Sequence, residues 1–102
     1  MHGWLHECLE IMITEKYGKE IWSRIKVAAS CDIPDGGFEL MRNYPDKMLE
    51  DLVGAASEIF GDPKNKVLEL FGSFFMHYVR RKGFGDLLSC LGDSLRSFVS
   101  LF

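Results

Sequence analysis

Apolar residues recur at helical spacing along most of this chain, and glycine interrupts the recurrence between one segment and the next. The first segment carries one apolar face made of Leu5, Cys8, Leu9, Met12 and Ile13. This face stops at Tyr17, and Gly18 follows it. A period near 3.6 with glycine directly after it is typical of an amphipathic helix and its end. The pattern predicts a mainly α-helical fold built around one core.

Three further helices follow from the same pattern. The second helix has an apolar face of Ile21, Trp22, Ile25 and Ala28. The third begins at Pro45 and Asp46, ends at Gly61, and has a predicted buried face of Met48, Leu52, Ala55, Ala56 and Ile59. The fourth starts at Asp62 and Pro63, ends at Gly83, and is the most apolar, with Val67, Leu68, Phe71, Phe74, Phe75, Tyr78 and Val79.

The segments between and after these helices are less regular. Turn-forming residues fill 30–37, and the short stretch 38–44 has a mixed pattern that is compatible with extended or irregular backbone. A short helical piece is predicted at 86–91, and a last helix is predicted after a cap at Asp93 or Ser94.

Length and charge narrow the function classes. The 102 residues suit one small domain, and 47% of them are apolar. The net charge of −3 and the lack of a basic stripe argue against nucleic-acid binding. The basic triplet Arg80, Arg81 and Lys82 is interpreted as a solvated helix end.

Neither a membrane span nor a disulfide framework is expected. The most apolar run, 67–79, contains Glu69 and His77 and is shorter than the ~20 residues that a span requires. Glu7 and Glu10 also interrupt the N-terminal segment too early for a signal peptide, so the chain is expected to be cytoplasmic. The three cysteines are odd in number and widely spaced, and they are interpreted as reduced thiols: Cys8, Cys31 and Cys90.

The histidines do not form an obvious metal site. His2 and His6 are one helical turn apart, but two ligands without a third are typical of surface residues, and this is the interpretation adopted for both. His77 is interpreted as a structural residue and not as a metal ligand. No phosphate-binding glycine loop or nucleophile motif is present, so this chain is not expected to be an enzyme.

The final residues continue an apolar helical pattern. Leu101 and Phe102 stand in the middle of that pattern, without a cap or a polar tail. An apolar face with nothing to cover it is unusual at the end of a complete domain. The expectation is therefore a chain cut from a longer domain.

Several landmarks in a fixed order resemble those of a known family. They are Met1-His2-Gly3-Trp4-Leu5, Tyr17-Gly18 with Trp22, Tyr44, Asp51-Leu52-Val53 with Ala55-Ala56-Ser57, Leu70-Phe71-Gly72 with Phe74-Phe75, Gly83-Phe84, Leu91-Gly92, and Leu95-Arg96 before Phe98. Their order and spacing are similar to those of heme-nitric oxide/oxygen binding (H-NOX) sensor domains, as in soluble guanylate cyclases. The resemblance spans the whole chain.

The resemblance implies the helical N-terminal subdomain of an α+β heme-NO-binding fold whose sheet half is missing. It places the iron-binding histidine and the Tyr-x-Ser-x-Arg motif for the heme propionates beyond Phe102. Residues 1–102 are therefore expected to form a single truncated domain that binds heme weakly or not at all.

By the same resemblance, five residues form the apolar wall on the distal side of a heme, and they are called the wall below: Trp4, Leu5, Leu9, Phe75 and Met76. Periodicity alone would make them core residues of a helical bundle. Leu9 and Phe75 offer no hydrogen-bond donor, which favours nitric oxide over stable oxygen binding.

The implied function is a heme-based nitric oxide sensor that regulates a guanylate cyclase in cGMP signalling. Its partners would be nitric oxide and a signalling or cyclase domain, and a dimer partner is an open alternative. Two alternatives remain open from the sequence. One is a heme-free helical module for dimerisation or interaction, and the other is a stand-alone bacterial gas sensor that regulates a kinase or a cyclic-nucleotide enzyme.

Overall fold

Four helices make up the part of the protein that the computed structural model describes, residues 3–82 without the side chains of Val79 and Lys82. They are α1 (Gly3–Tyr17), α2 (Lys19–Ala28), α3 (Asp46–Phe60) and α4 (Lys64–Lys82). Residues 3–82 contain no strand. The mainly helical prediction and the four predicted helices are confirmed, whereas the helical pieces predicted at 86–91 and after Asp93 lie outside the described residues.

Glycine ends α1 and α3, as the sequence predicted. Gly18 has a φ of 94° and Gly61 a φ of 70°, backbone conformations that L side chains rarely adopt. After α3, the amide of Gly61 donates to the carbonyl of Glu58, and the next amide, of Asp62, donates to that of Ser57. These bonds occupy carbonyls that the end of a helix otherwise leaves without partners, so the chain can reverse there and begin α4.

The helices pack as a closed ring around one core. Each helix contacts the next one along the chain, and α1 also contacts α4. The core consists of residues with little or no exposed surface, namely Trp4, Leu5, Cys8, Leu9, Met12, Ile13, Trp22, Ile25, Phe38, Tyr44, Leu49, Leu52, Val53, Ala55, Ala56, Val67, Phe71, Phe74 and Tyr78. Helix α1 is therefore central to the fold, since most of its faces are covered.

The connection between α2 and α3 packs against α1 and completes its N-terminal end. Phe38 and Tyr44 belong to this connection, and both are buried. The amide of Gly3 donates to the carbonyl of Arg42 at 2.9 Å, and the amide of Trp4 donates to that of Leu40 at 3.2 Å. The first amides of a helix have no partner within it, so the connection supplies backbone carbonyls where a side-chain cap usually would.

The burial pattern corrects some sequence expectations. Ala28 is exposed, because α2 contacts the core through Trp22 and Ile25 and the last turn of α2 extends beyond the core. On α3, Met48 and Ile59 are only half-buried. The predicted burial of Leu52, Ala55 and Ala56 is confirmed, and Leu49 and Val53 are buried beside them.

The expectation that His6 is a surface residue is wrong. His6 has no exposed surface, because Phe38 and Tyr44 fold over its ring. His2 lies outside the described residues. Cys8 and Cys31 are both free thiols, in agreement with the expectation for these two. Among residues 3–82, no helix is both long enough and apolar enough to cross a membrane.

Candidate functional site

Four of the five predicted wall residues lie on the inner side of α1 and α4, and one does not. Trp4, Leu5 and Leu9 are 1%, 2% and 0% exposed. Phe75 of α4 is half-buried, and its ring centroid lies 5.4 Å from that of Trp4. Met76 is 51% exposed and points away from this contact. The structure therefore brings Phe75 to Trp4 and leaves Met76 on the outer surface.

Tyr78 lies behind the Trp4–Phe75 pair and was not singled out from the sequence. Its ring stacks on that of Trp4 with centroids 6.5 Å apart and an interplanar angle of 12°. The Tyr78 hydroxyl donates to the Glu7 carboxylate at 2.6 Å. Burial, and then the hydrogen bond and charge of Glu7, raise the pKa of Tyr78 well above its usual value. The phenol therefore keeps its proton and remains a donor to Glu7.

Cys8 lies one position after Glu7 and has no exposed surface. Burial raises the pKa of its thiol to about 12, with a further contribution from the negative charge of Glu7. The charge of Arg81 acts in the opposite direction. Because the nucleophilic and metal-binding form of cysteine is the thiolate, this side chain is chemically inert near neutral pH.

An exposed ion pair joins the later turns of the same two helices. The Arg81 guanidinium donates to both carboxylate oxygens of Glu15, at 3.0 and 3.3 Å. This contact raises the pKa of Arg81. Arg80 and Arg81 are both exposed, which agrees with the prediction of a solvated helix end for these two residues.

The two histidines of the described region lie away from the wall. His6 packs against Phe38 and Tyr44, with ring centroids 5.1 and 5.2 Å away. His77 is exposed. Successive helical residues are about 100° apart, so a residue two positions from Trp4 or Phe75 faces almost the opposite way. Residues 3–82 also contain no cluster of three potential metal ligands.

A buried carboxylate holds the turn region of the α2–α3 connection against α1. Glu10 accepts a hydrogen bond from the amide of Gly36 at 2.9 Å. Burial raises the pKa of Glu10, and the hydrogen bond from Gly36 partly offsets that effect. Lys26 reaches the same turn and binds the Asp35 carboxylate and the carbonyl of Ile33. These contacts have a structural role, because they fix the path that leads to Phe38.

Two surface grooves of the described region lie away from the wall residues. The first has a volume of about 410 Å³, lies between the end of α2 and α3, and is lined by Ala28, Ala29, Ser30, Lys47, Glu50, Asp51, Gly54, Ala55, Glu58 and Lys64. The second has a volume of about 460 Å³ and is lined by Ser23, Arg24, Val27, Ala28 and Ile59. Both grooves are open to solvent. The first is lined mainly by polar surface, and the second is lined mainly by apolar surface.

The wall residues suit a flat apolar group in their chemistry, but Trp4, Leu5 and Leu9 are covered by other side chains of the described region. Leu5, Leu9 and Phe75 present hydrocarbon alone, which suits the face of a porphyrin. The indole nitrogen of Trp4 is buried and has no hydrogen-bond partner among residues 3–82. A buried donor of this kind usually has a partner, so a group from outside this region is expected beside Trp4.

Comparison with known proteins identifies the family of the chain. The family model described as haem-NO-binding matches residues 2–101. The chain is 28% identical over 99 residues to soluble guanylate cyclase gcy-35 of Caenorhabditis elegans and 28% identical over 99 residues to soluble guanylate cyclase 89Da of Drosophila melanogaster. Each alignment covers 97% of this chain but only 14% of the relative. The match to the family model extends over almost every residue, and the chain belongs to the haem-NO-binding family.

Proposed function

We propose that this chain supplies the helical, distal wall of a heme pocket in a nitric oxide sensor that regulates a guanylate cyclase. The observation that carries the proposal is the packing of Phe75 on Trp4, which joins α1 and α4 in a chain of this family. When bound, heme would supply an iron that coordinates a diatomic gas reversibly.

The wall residues have simple roles in this proposal. Leu5 and Leu9 exclude water from one face of the heme, and Phe75 covers its edge. Trp4 supports Phe75 from behind. Met76 has no role at the heme, since its side chain is exposed.

The iron ligand is proposed to come from outside residues 3–82. His6 is enclosed by Phe38 and Tyr44, and His77 faces away from Phe75. A ligand from either residue would require the fold to rearrange. Cys8 is equally unsuitable, because its thiol is fully buried in the core between the helices.

Selectivity for nitric oxide is proposed from Leu5, Leu9 and Phe75, the residues that would face the heme, since Trp4 with its buried indole N–H lies behind Phe75 in this proposal. Oxygen gains more than nitric oxide from a hydrogen bond in the distal pocket. Leu5, Leu9 and Phe75 cannot donate, and the Tyr78 hydroxyl already donates to Glu7. This side of the pocket therefore offers oxygen little stabilisation.

Regulation of a cyclase is proposed from the relatives, which are named soluble guanylate cyclases. This chain spans 14% of their length, so catalysis would reside in other parts of such a protein. A sensor can control a distant site only if the gas binds two protein states with different affinities. The proposed setting is the cytosol, and a dimer partner is proposed to take part in signal output.

A chimera tests the proposal directly. Residues 2–101 would replace the matching segment in the heme domain of a soluble guanylate cyclase, and the protein would then be titrated with heme. We expect one heme per chain, a histidine-ligated spectrum, and binding of nitric oxide without a stable oxygen complex. The His77→Ala chimera should give the same spectrum. Failure of the folded chimera to bind heme would contradict the proposal.

A heme-free interaction module is the second candidate, and one observation favours it. Trp4, Leu5 and Leu9 are already covered in the structure, with at most 2% of their surface exposed. In that case the folded chimera would not bind heme and would still associate with a partner subunit. Sedimentation of the chimera, with and without heme, separates the two functions.

A further inference from the structure

We propose that the hydrogen bond between Tyr78 and Glu7 is the positioning contact of the wall, because it sets where Phe75 lies against Trp4. The geometric part of this inference concerns the protein alone, and its consequence for heme rests on the proposed function.

The register of the two helices places the hydrogen bond beside the ring pair. Glu7 is three residues after Trp4 on α1, and Tyr78 is three residues after Phe75 on α4. Residues three apart share a helix face and are neighbours along it. The Trp4–Phe75 contact and the Glu7–Tyr78 bond are thus successive contacts along the same seam. Two such contacts fix both the rotation and the sliding of α4 against α1.

Tyr78 also contacts the ring of Trp4 directly. Its ring stacks on Trp4, while Phe75 approaches the same indole with an interplanar angle of 34°. Trp4 therefore contacts both α4 aromatics. A change in the direction of the Tyr78 side chain would move the indole, and with it the surface that Phe75 contacts.

The burial of Tyr78 makes its hydrogen bond hard to replace. Tyr78 has no exposed surface, so water cannot readily take the place of Glu7 as its acceptor. A hydrogen bond to a carboxylate is among the stronger kinds, and it strengthens further in a dry environment. Breaking this bond would remove a buried contact between α1 and α4 at Tyr78.

The chain provides a matched comparison on the same seam. Glu15 also lies on α1 and also binds a side chain of α4, Arg81, but the two side chains are 48% and 51% exposed. Exposed pairs of this type are well solvated and hold geometry weakly. Glu7 and Glu15 therefore differ mainly in burial and in contact with an aromatic ring.

The experiment uses fluorine NMR of the full chain labelled with 5-fluorotryptophan. The chain has two tryptophans, so the spectrum has one resonance for Trp4 and one for Trp22, assigned with Trp4→Phe. We expect Tyr78→Phe and Glu7→Ala to move the Trp4 resonance by more than its linewidth and to leave Trp22 in place. Glu7→Gln retains an acceptor oxygen and should restore the position. Glu15→Gln should move neither resonance.

The outcomes separate positioning from general stability. A variant that merely unfolds would shift both tryptophans together, and an unchanged Trp4 resonance in folded Tyr78→Phe would overturn the inference. If Tyr78→Phe does not fold, Glu7→Ala and Glu7→Gln provide the same comparison. In the heme-binding chimera, Glu7→Ala should weaken heme affinity by roughly tenfold and Glu15→Gln should not change it. If the unsubstituted chimera binds no heme, the proposed function fails, while the fluorine result still tests the contact.

Discussion

The α-carbon of Gly3 faces the backbone carbonyl of Glu39 so closely that a β-carbon there would lie 2.0 Å from the oxygen. The same β-carbon would lie 2.8 Å from the Tyr44 ring. The backbone amide of Gly3 also donates to Arg42, so neither segment can move without losing a contact. We predict that Gly3→Ala destabilises the protein by about 1–3 kcal/mol, the usual cost of overpacking.

Gly72 provides the control for this prediction. It lies within α4, and a β-carbon there would meet nothing within 4 Å. Gly72→Ala should therefore stabilise the protein by about 0.5–1 kcal/mol, as expected for alanine in a helix. Urea unfolding of both variants measures the difference. Equal effects of the two substitutions would show that the α2–α3 connection does not pack on Gly3.

The buried carboxyl of Glu10 predicts a pH dependence of stability. Burial raises the pKa of Glu10 above its ordinary value of 4.5. At a pH just above 4.5, the folded protein therefore still holds a proton on Glu10 that the unfolded chain has released. This contribution to stability is therefore complete below about pH 4.5 and is lost as the pH rises through the folded pKa. Glu10→Gln cannot titrate, so we expect a flatter profile of unfolding free energy from about pH 4 to about pH 7.

Glu69 is the matched control, since it is exposed inside α4 and away from the ends of the helix. Glu69→Gln removes the same charge from the surface, so we expect it to flatten the profile less than Glu10→Gln does. If Glu10→Gln and the unsubstituted protein show the same dependence of unfolding free energy on pH, Glu10 is not the cause of that dependence.

Cys8 and Cys31 should differ sharply in reactivity. The Cys8 thiol has no exposed surface and a pKa of about 12, so almost none of it is thiolate near neutral pH. Cys31 is only half-buried. We expect iodoacetamide to modify Cys31 in the native protein and Cys8 only after unfolding, as measured by mass spectrometry of peptides. Equal rates for the two thiols in native protein would contradict the burial of Cys8.

The ends and inner faces of the helices were predictable because their signals are local. Gly18 and Gly61 follow apolar segments directly, and both adopt the positive φ that glycine allows at a helix end. The same periodicity put Trp4, Leu5 and Leu9 on the inner side of the first helix. These predictions require only residues that are near each other in the sequence.

Contacts between distant residues were not predictable in the same way. Glu7 and Tyr78 are 71 positions apart, and no local pattern pairs them. The burial of His6 depends on Phe38 and Tyr44, which lie in a connection with no regular period. Met76 followed from the resemblance, but the rotation of about 100° per residue turns it from Phe75 toward solvent, where 51% of it is exposed. Such features depend on the path of the folded chain.

Phe75 and Met76 test which side of α4 forms the wall. Phe75 is half-buried and packs on Trp4, whereas Met76 is 51% exposed. Truncation of a buried phenylalanine to alanine costs about 3–5 kcal/mol, so a half-buried one should cost roughly half as much. Met76→Ala should change the free energy of unfolding by no more than about 0.5 kcal/mol. In the heme-binding chimera, Phe75→Ala should also weaken heme affinity, and Met76→Ala should leave it unchanged. Urea unfolding and heme titration of the two variants measure both effects. A larger loss of heme affinity from Met76→Ala than from Phe75→Ala would place the heme on the opposite side of α4 and contradict the proposed wall.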